Sequence, residues 1–444
     1  MPFSSLFVRI ERLSFQCRSI RSVRTSALPG GSVTSRWLII ADDLTGAADC
    51  AIAFAKHGLE SVVAWDQHRE AGAVPVLSVD AGTRSLSPER AAKLQVDVLA
   101  SHYRPGLRLY KKIDSTLRGQ PAAELAALLA YVPAYVNGRP RIAIVAPAFP
   151  LAGRVTVNGS IIVQGVPLEQ TPLWARDHTY TSANLVEVLS SAGLSAEVLP
   201  LATIAQGAEA VSEKFACARH RGLAAVVCDA RTEADLAVAA EASHAMADEI
   251  IFVGSAGLAA ELAKVENCAT TPALLSPHPD RKSVLVVVGS LAEASRLQAR
   301  TLVQSGLVRH VVIAPGTLFD GPCTQAWQER SKQLAQCLAA KEDVLLELEL
   351  TSNPDLACGT KLAASLAEFV AGAGSFGAVI ATGGDTVYAL LSKLGVHSIR
   401  LIDEVEPGMP LGQTVGAVCI PVVTKAGAFG DAHSLRRSLE RLRC

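Results

Sequence analysis

Two adjacent carboxylates end an apolar run in Trp37-Leu-Ile-Ile-Ala-Asp-Asp-Leu-Thr-Gly-Ala-Ala-Asp49. A strand that stops at Asp42 and Asp43 and turns into a helix through Thr45-Gly46 presents both acids at its tip. There they can accept sugar hydroxyls, hold Mg2+ or act as a base. Thr45 and the free amides beside it can face an anion. One of the acids would suffice to cap the helix, so two acids and a Thr exceed what capping needs. A second polar burst, Tyr110-Lys-Lys-Ile-Asp-Ser-Thr-Leu-Arg-Gly119, also follows an apolar run. It crowds Lys112, Asp114, Ser115 and Arg118 at one strand end, and Arg118 can bind a carboxylate through two parallel hydrogen bonds. The plainer reading is a Ser/Thr helix cap with solvated charges; the density of polar groups favours a site. Two weaker clusters are Asp80-Ala-Gly-Thr-Arg-Ser85, with Arg84, and Ala146-Pro-Ala-Phe-Pro-Leu-Ala-Gly-Arg154. In the latter, two prolines stiffen the loop and Arg154 is a second candidate anion clamp, although a plain turn explains it nearly as well.

The C-terminal half offers glycine loops instead: Val288-Gly-Ser290, Ala381-Thr-Gly-Gly-Asp-Thr386 and Thr424-Lys-Ala-Gly-Ala-Phe-Gly-Asp431. Glycines let backbone amides approach phosphates closely. Gly383 and Gly384 follow an apolar run and precede the helical stretch Val387 to Leu394, which suits a phosphate cradle at a helix N-terminus. Asp385 is placed to reach Mg2+. A structural turn explains any one such loop, but three in one half are harder to dismiss. Gly254-Ser-Ala-Gly-Leu-Ala259 is a similar strand-to-helix turn. No G-x-x-x-x-G-K-[ST] occurs, which excludes a P-loop kinase. Gly372-Ala-Gly-Ser-Phe-Gly377 fits G-x-G-x-x-G but precedes an apolar run, the wrong context for a dinucleotide fingerprint, and reads as a loop. The dispersed histidines form no H-E-x-x-H and no Ser-His-Asp arrangement.

Short apolar runs that position these clusters alternate with Ala/Leu-rich helical stretches. Strands are expected at Trp37–Ala41, Val74–Val79, Leu107–Ile113, Ile142–Ala146, Ala224–Cys228 and Ile250–Val253. Later ones are expected at Ser283–Val288, His310–Ala314, Asp343–Leu348, Ala378–Ala381, Ser398–Leu401 and Thr414–Val422. This alternation predicts an α/β protein with largely parallel sheets flanked by helices; with two domains, the active site is expected in the interdomain cleft. The Pro-rich stretch 270–282 reads as a linker. It separates a domain over 37–269 from a domain over 283–444. The basic segment 1–36 carries six arginines and one acid, as transit peptides do. A disordered extension or a misassigned start is preferred, because the first strand begins only at Trp37.

At 444 residues the chain exceeds one ordinary core. Lys+Arg (41) nearly balance Asp+Glu (42), so no global charge attracts nucleic acid or an anionic membrane. No apolar run is long enough to predict a transmembrane helix. The ten cysteines form no C-x-x-C pair and no zinc spacing, which reads as reduced thiols in a cytoplasmic protein.

Together these motifs resemble the four-carbon acid sugar kinase family, formerly a domain of unknown function. The resemblance is carried by Ala41–Asp49, Lys111–Gly119, Ala146–Gly159, the Gly254–Ala259 turn, Val287–Ser290, Thr382–Thr386 and Thr424–Asp431, in order and in both halves. It departs at Ala426 and Ala428, where Ser and Gly are common, and at Leu291-Ala-Glu293. The family implies an N-terminal domain for the acid sugar and a C-terminal domain for ATP. Phosphate would go to the terminal hydroxyl of D-threonate, D-erythronate or 3-oxo-tetronate. On that reading Asp43, Asp42 or Asp114 orients and deprotonates the hydroxyl. Thr45, Arg84, Lys112, Ser115, Arg118 and Arg154 hold the substrate. Ser290, Gly383, Gly384, Asp385, Gly427 and Gly430 contact the nucleotide, with Mg2+ at Asp385. The implied partners are the acid sugar and ATP, with a homo-oligomer left open. A non-catalytic metabolite-binding protein using the same cleft is the alternative; an NAD(P)-dependent oxidoreductase is disfavoured by the misplaced glycine motif.

Overall fold

Trp37–Ala41 is buried along its whole length, as expected of a strand covered on both faces. In the computed structural model, which describes residues 37–65, 74–132, 135–136, 139–177, 179–266, 283–349 and 359–443, it forms β1. The following N-terminal strands are β2 (Ser61–Ala64), β3 (Val76–Asp80), β4 (Arg108–Lys112), β5 (Tyr135–Val136), β6 (Arg139–Pro140) and β7 (Ile142–Ala146). Then come β8 (Arg154–Val157), β9 (Ser160–Val163), β10 (Val166–Pro167), β11 (Ala196–Leu199), β12 (Ala225–Cys228) and β13 (Ile250–Gly254). The C-terminal half contributes β14 (Val284–Val288), β15 (Arg309–Ile313), β16 (Val344–Leu348), β17 (Ala378–Thr382), β18 (Val396–Glu404), β19 (Pro410–Gly416) and β20 (Pro421–Lys425). Three helices bear on the site: α1 (Leu44–Lys56), α2 (Glu293–Gln304) and α3 (Gly384–Lys393).

Residues 35–444 form one compact unit. Its centre is a 15-stranded sheet ordered β11-β12-β7-β13-β4-β1-β3-β2-β18-β19-β20-β17-β14-β16-β15. Each wing is parallel, and the two wings meet through an antiparallel seam in which Val63 of β2 lies opposite Ile399 of β18. Counted through the seam, the wings run in opposite directions. The right-handed strand twist, about 20–25° per step, accumulates over the six steps from β1 to β17. That rotation turns the carboxyl ends of the second wing toward those of the first. The small residues of α1 (Ala47, Ala48, Ala51, Ala55) are buried, which lets this helix lie close over the sheet near the seam. Trp37 anchors it, with ring centroids 5.1 Å from Phe54 and 5.4 Å from Phe252.

The α/β architecture and the parallel wings agree with the sequence reading; the antiparallel seam was not foreseen. The single strand expected over Thr414–Val422 is instead a hairpin, β19 and β20. The chain turns at Gly416, and Thr414 Oγ1 accepts from the Ile420 amide at 2.8 Å, closing the turn. Strands β2 and β11 and the small antiparallel sheet β10-β9-β8 were also unanticipated. Gly372–Gly377 is a loop between the helix Gly359–Ala371 and β17. The extension 1–36 and the linker 270–282 lie outside the described residues. Among the described residues no helix is long and apolar enough to cross a membrane.

Candidate active site at the meeting of the two wings

β1 delivers Asp42 and Asp43 to its tip, with β3 and β4 on either side. Asp43 is the N-cap of α1, accepting from the Gly46 amide at 2.9 Å and from Thr45 Oγ1 at 2.7 Å. The capping role is therefore real, and it coexists with exposure to the cleft. The loop after β3 returns Arg84 to both acids. Its Nε and Nη2 reach Asp42 at 2.8 and 3.0 Å; Nη1 and Nη2 reach Asp43 at 2.6 and 2.9 Å. Arg84, expected on the substrate, is thus engaged with the two carboxylates. Burial raises the Asp42 carboxyl, but Arg84 together with Lys111 and Lys112 holds it below its ordinary value.

The strand-end cluster after β4 forms a second ion pair. Arg118 Nε and Nη2 donate to Asp114 at 3.0 and 2.8 Å. Asp114 lies 3.9 Å from Arg84 Nη2, which joins the two clusters. Burial pushes the Asp114 carboxyl up, yet Arg118, Arg84 and Arg154 outweigh it and hold the group well below the usual range. A carboxylate so stabilised is a weak proton acceptor. Lys112 Nζ lies against the first turn of α1, where a Cβ on Gly46 would meet it at 2.8 Å, and donates to the Ile113 carbonyl at 2.9 Å. Arg154, on β8, donates to Ser115 Oγ at 2.5 Å and stacks over Phe429 of the opposite wing at 5.3 Å.

The C-terminal wing brings its glycines to the same place. Gly383 (φ 93°) packs on Ser290, and a Cβ on Gly427 would collide with the Ser290 hydroxyl. Gly384 opens α3; a Cβ there would sit 3.4 Å from Asp43 Oδ2 and 3.7 Å from Thr45 Oγ1. The N-termini of α1 and α3 therefore face one another. Gly430 stands further out, beside Ser434 and Glu406. A cavity of about 530 Å³ opens between the wings, with Asp42, Asp43, Arg84, Arg118, Gly384 and Asp385 in its lining. A smaller recess is lined by Thr45, Lys112, Ser115, Arg154 and Phe429. Among the described residues no group of three or more His, Cys, Asp or Glu side chains forms a metal cage. Asp385 on the cavity wall still fits a cation held mainly by phosphates and water, the usual habit of Mg2+.

Several site residues escaped the sequence reading. Asp49 stands four residues beyond Thr45 on α1 and lines the smaller recess; helical spacing alone would have placed it there. Burial, with Asp43 and Glu404, raises its carboxyl to about 7. Asp80, at the tip of β3, lines the larger cavity. Below the acids, a fully buried Lys111–Glu124 pair at 2.8 Å holds Thr83, whose Oγ1 donates to Glu124 at 2.5 Å. Phe429 and Lys425 belong to the Thr424–Asp431 motif, but their residue types suggested no role of their own.

This architecture defines a class: two-winged α/β proteins with cationic side chains on one wall of a cleft and glycine-built strand-to-helix turns on the other. Residues 37–262 match the family model for a sugar-binding N-terminal domain, and residues 285–435 match that for a nucleotide-binding C-terminal domain. A D-threonate kinase of Cupriavidus necator is 40% identical over 410 residues, covering 90% of this chain and 96% of the relative. A D-erythronate kinase of Heliobacterium modesticaldum is 28% identical, covering 90% and 95%. The crystal structure of a Haemophilus influenzae DUF1537 protein superposes with a TM-score of 0.69 at 21% identity, covering 91% of this chain and all of the other, so the fold is shared. The chain belongs to the four-carbon acid sugar kinase family, and with it to the phosphotransferases that act on sugar acids.

Proposed function

We propose that this protein transfers the terminal phosphoryl group of ATP to the terminal hydroxyl of a four-carbon acid sugar, D-threonate first among the candidates. The observation that carries the reading is the approach of the α3 N-terminus at Gly384 to Asp43 and Thr45. It brings the open N-terminus of α3 against Asp43, a carboxylate that lines both cavities, and so supports a phosphate cradle beside the acid-sugar pocket. The substrate carboxylate would lie in the smaller recess, on Arg154 and Ser115, with Lys112 adding charge. The hydroxyl would then extend to Asp43, which orients it and takes its proton. Asp42 and Asp114, more deeply buried than Asp43, hold Arg84 and Arg118 in place; Asp43 shares Arg84 but keeps more of its carboxylate open to the cleft.

Phosphoryl transfer asks mainly for positioning and charge neutralisation. Ser290, Gly383, Gly384, Gly427 and Gly430 would hold the nucleotide, within a domain spanning 283–444, while 37–269 holds the sugar acid. Mg2+, held by Asp385 with the phosphates, would neutralise charge on the transferred group. Apposed wings exclude water that would otherwise hydrolyse ATP. The 40% identity to a D-threonate kinase supports the substrate choice. ADP release measured with ATP, Mg2+ and each of D-threonate, D-erythronate and 3-oxo-tetronate tests it. The expected result is the highest kcat/KM for D-threonate. Binding of an acid sugar with no ADP formed from any of them would sink the kinase reading in favour of a metabolite-binding protein.

A further inference from the structure

Lys425 ends β20 with its side chain fully buried. Its ammonium donates to the carbonyls of Ala426, Gly427 and Phe429 at 3.0, 3.2 and 2.9 Å, and to Ser295 Oγ at 3.3 Å. Helix α2 grips two of the same carbonyls. Ser295 Oγ donates to Gly427 at 2.8 Å and Gln298 Nε2 to Phe429 at 2.9 Å. Across a planar trans peptide, a carbonyl and the next residue's N–H point in opposite directions. Gathering these three carbonyls on the α2 side therefore turns the amides of Gly427, Ala428 and Gly430 the other way. Successive amides aimed to one side form an anion-binding concavity.

Among the described residues no carboxylate forms an ion pair with Lys425. A buried charge of this kind is costly unless compensated. The charged group that acts on it is Glu406, which Arg437 and Ser434 already hold; Asp431, beside it, is likewise bound to Arg437. From α2 its ammonium meets the uncharged Ser295, and from β17 it pairs with Thr382. We propose that Lys425 is the positioning residue of the nucleotide loop: it draws the loop carbonyls inward, turns three amides out as a phosphate nest, and takes the nucleotide's phosphates as its missing counter-charge. The proposal deepens, and rests on, the nucleotide-site reading given above.

A consequence is linkage to protons. Burial pushes the ammonium down to about 8, with Glu406 opposing. Phosphate nearby favours the charged form, so nucleotide binding draws a proton onto Lys425 and weakens as pH rises past 8. Titration calorimetry of the full chain with ADP and Mg2+, at pH 7, 8 and 9 in two buffers of different ionisation enthalpy, reads both effects. Expected are an affinity about tenfold lower at pH 9 than at pH 7 and a proton uptake that rises from near zero to about one over that range. Lys425→Met should bind ADP about tenfold more weakly at pH 7, lose the uptake, and leave the acid-sugar KM within about twofold. Wild-type affinity that is flat with pH and free of uptake overturns the proposal, and this arm stands even if the variant does not fold. Uptake that persists in Lys425→Met also overturns it and points to Asp80, which lines the larger cavity. A wild-type protein that binds no ADP overturns the nucleotide site itself, and with it this proposal.

Discussion

On the wall of the cleft carried by β1, β3 and β4, polar groups are side chains held by other side chains: Arg84 on Asp42 and Asp43, Arg118 on Asp114, Arg154 on Ser115. On the wall carried by β17 and β20, they are backbone groups, arranged by glycines, by Ser290 and by one buried lysine. The difference follows from the ligands each wall would meet. A small acid with a carboxylate and several hydroxyls is told apart by directional donors and acceptors at fixed points. A polyphosphate presents the same oxygens along its length, and amides serve it without long side chains. The first wall should therefore fail by residue type and the second by backbone shape.

The largest effect is expected at Asp43, where both walls meet. Asp43→Asn keeps a good helix cap but removes the carboxylate proposed to take the proton. We expect kcat to fall about 100-fold or more with thermal stability within a degree or two of wild type. Near-normal turnover with normal KM would remove Asp43 as the base. Next comes Arg154→Lys, which keeps the charge but not the planar fork that meets Ser115 and stacks on Phe429. The acid-sugar KM should rise about 30-fold while the KM for ATP changes by less than about threefold. Equal effects on both substrates would erase the distinction between the walls. Gly427→Ala is the converse. A methyl group there collides with Ser290, so the KM for ATP should rise about tenfold with little change for the acid sugar.

The contrast between walls also explains what could be read in advance. β1 and β7 are unbroken apolar runs buried on both faces, and their bounds agree with the expectation to the residue. The acids and bases at the strand tips were visible as polar bursts after such runs. Which acid meets which base was not visible, because Arg84 reaches Asp42 only through the neighbour order β3-β1-β4. The hairpin β19–β20 reads as one strand in the sequence, since its turn holds Ala417, Val418 and Cys419 in place of a recognisable turn dipeptide. Short β2, of four residues, offered too little pattern, although it carries the seam. Lys425 was invisible for a physical reason: its partners are carbonyls, which every residue type supplies.

The smallest effect concerns stability and tests the charge balance of the first wall. Asp80 is buried, and its Oδ1 accepts from the Gly82 amide at 2.7 Å. Burial, then the neighbouring Asp43 and Asp42, raise its carboxyl to about 8, against the pull of that amide and Arg84. An unfolded Asp titrates at about 3.9, so between these values the folded protein holds the proton more tightly than the unfolded chain. The stabilising contribution is complete below about pH 4 and is lost as pH rises through 8. Asp114 has the opposite shift, its change lies at acid pH, and it adds no slope in this window. Asp80→Asn can still accept from Gly82 and has no proton to lose. Its melting temperature relative to wild type should therefore climb by about 4 °C between pH 5 and pH 8, measured by scanning calorimetry without ligands. A difference that stays constant across that range would mean that Asp80 is ionised in the folded protein, with Arg84 neutralising three carboxylates at the β1–β3 edge.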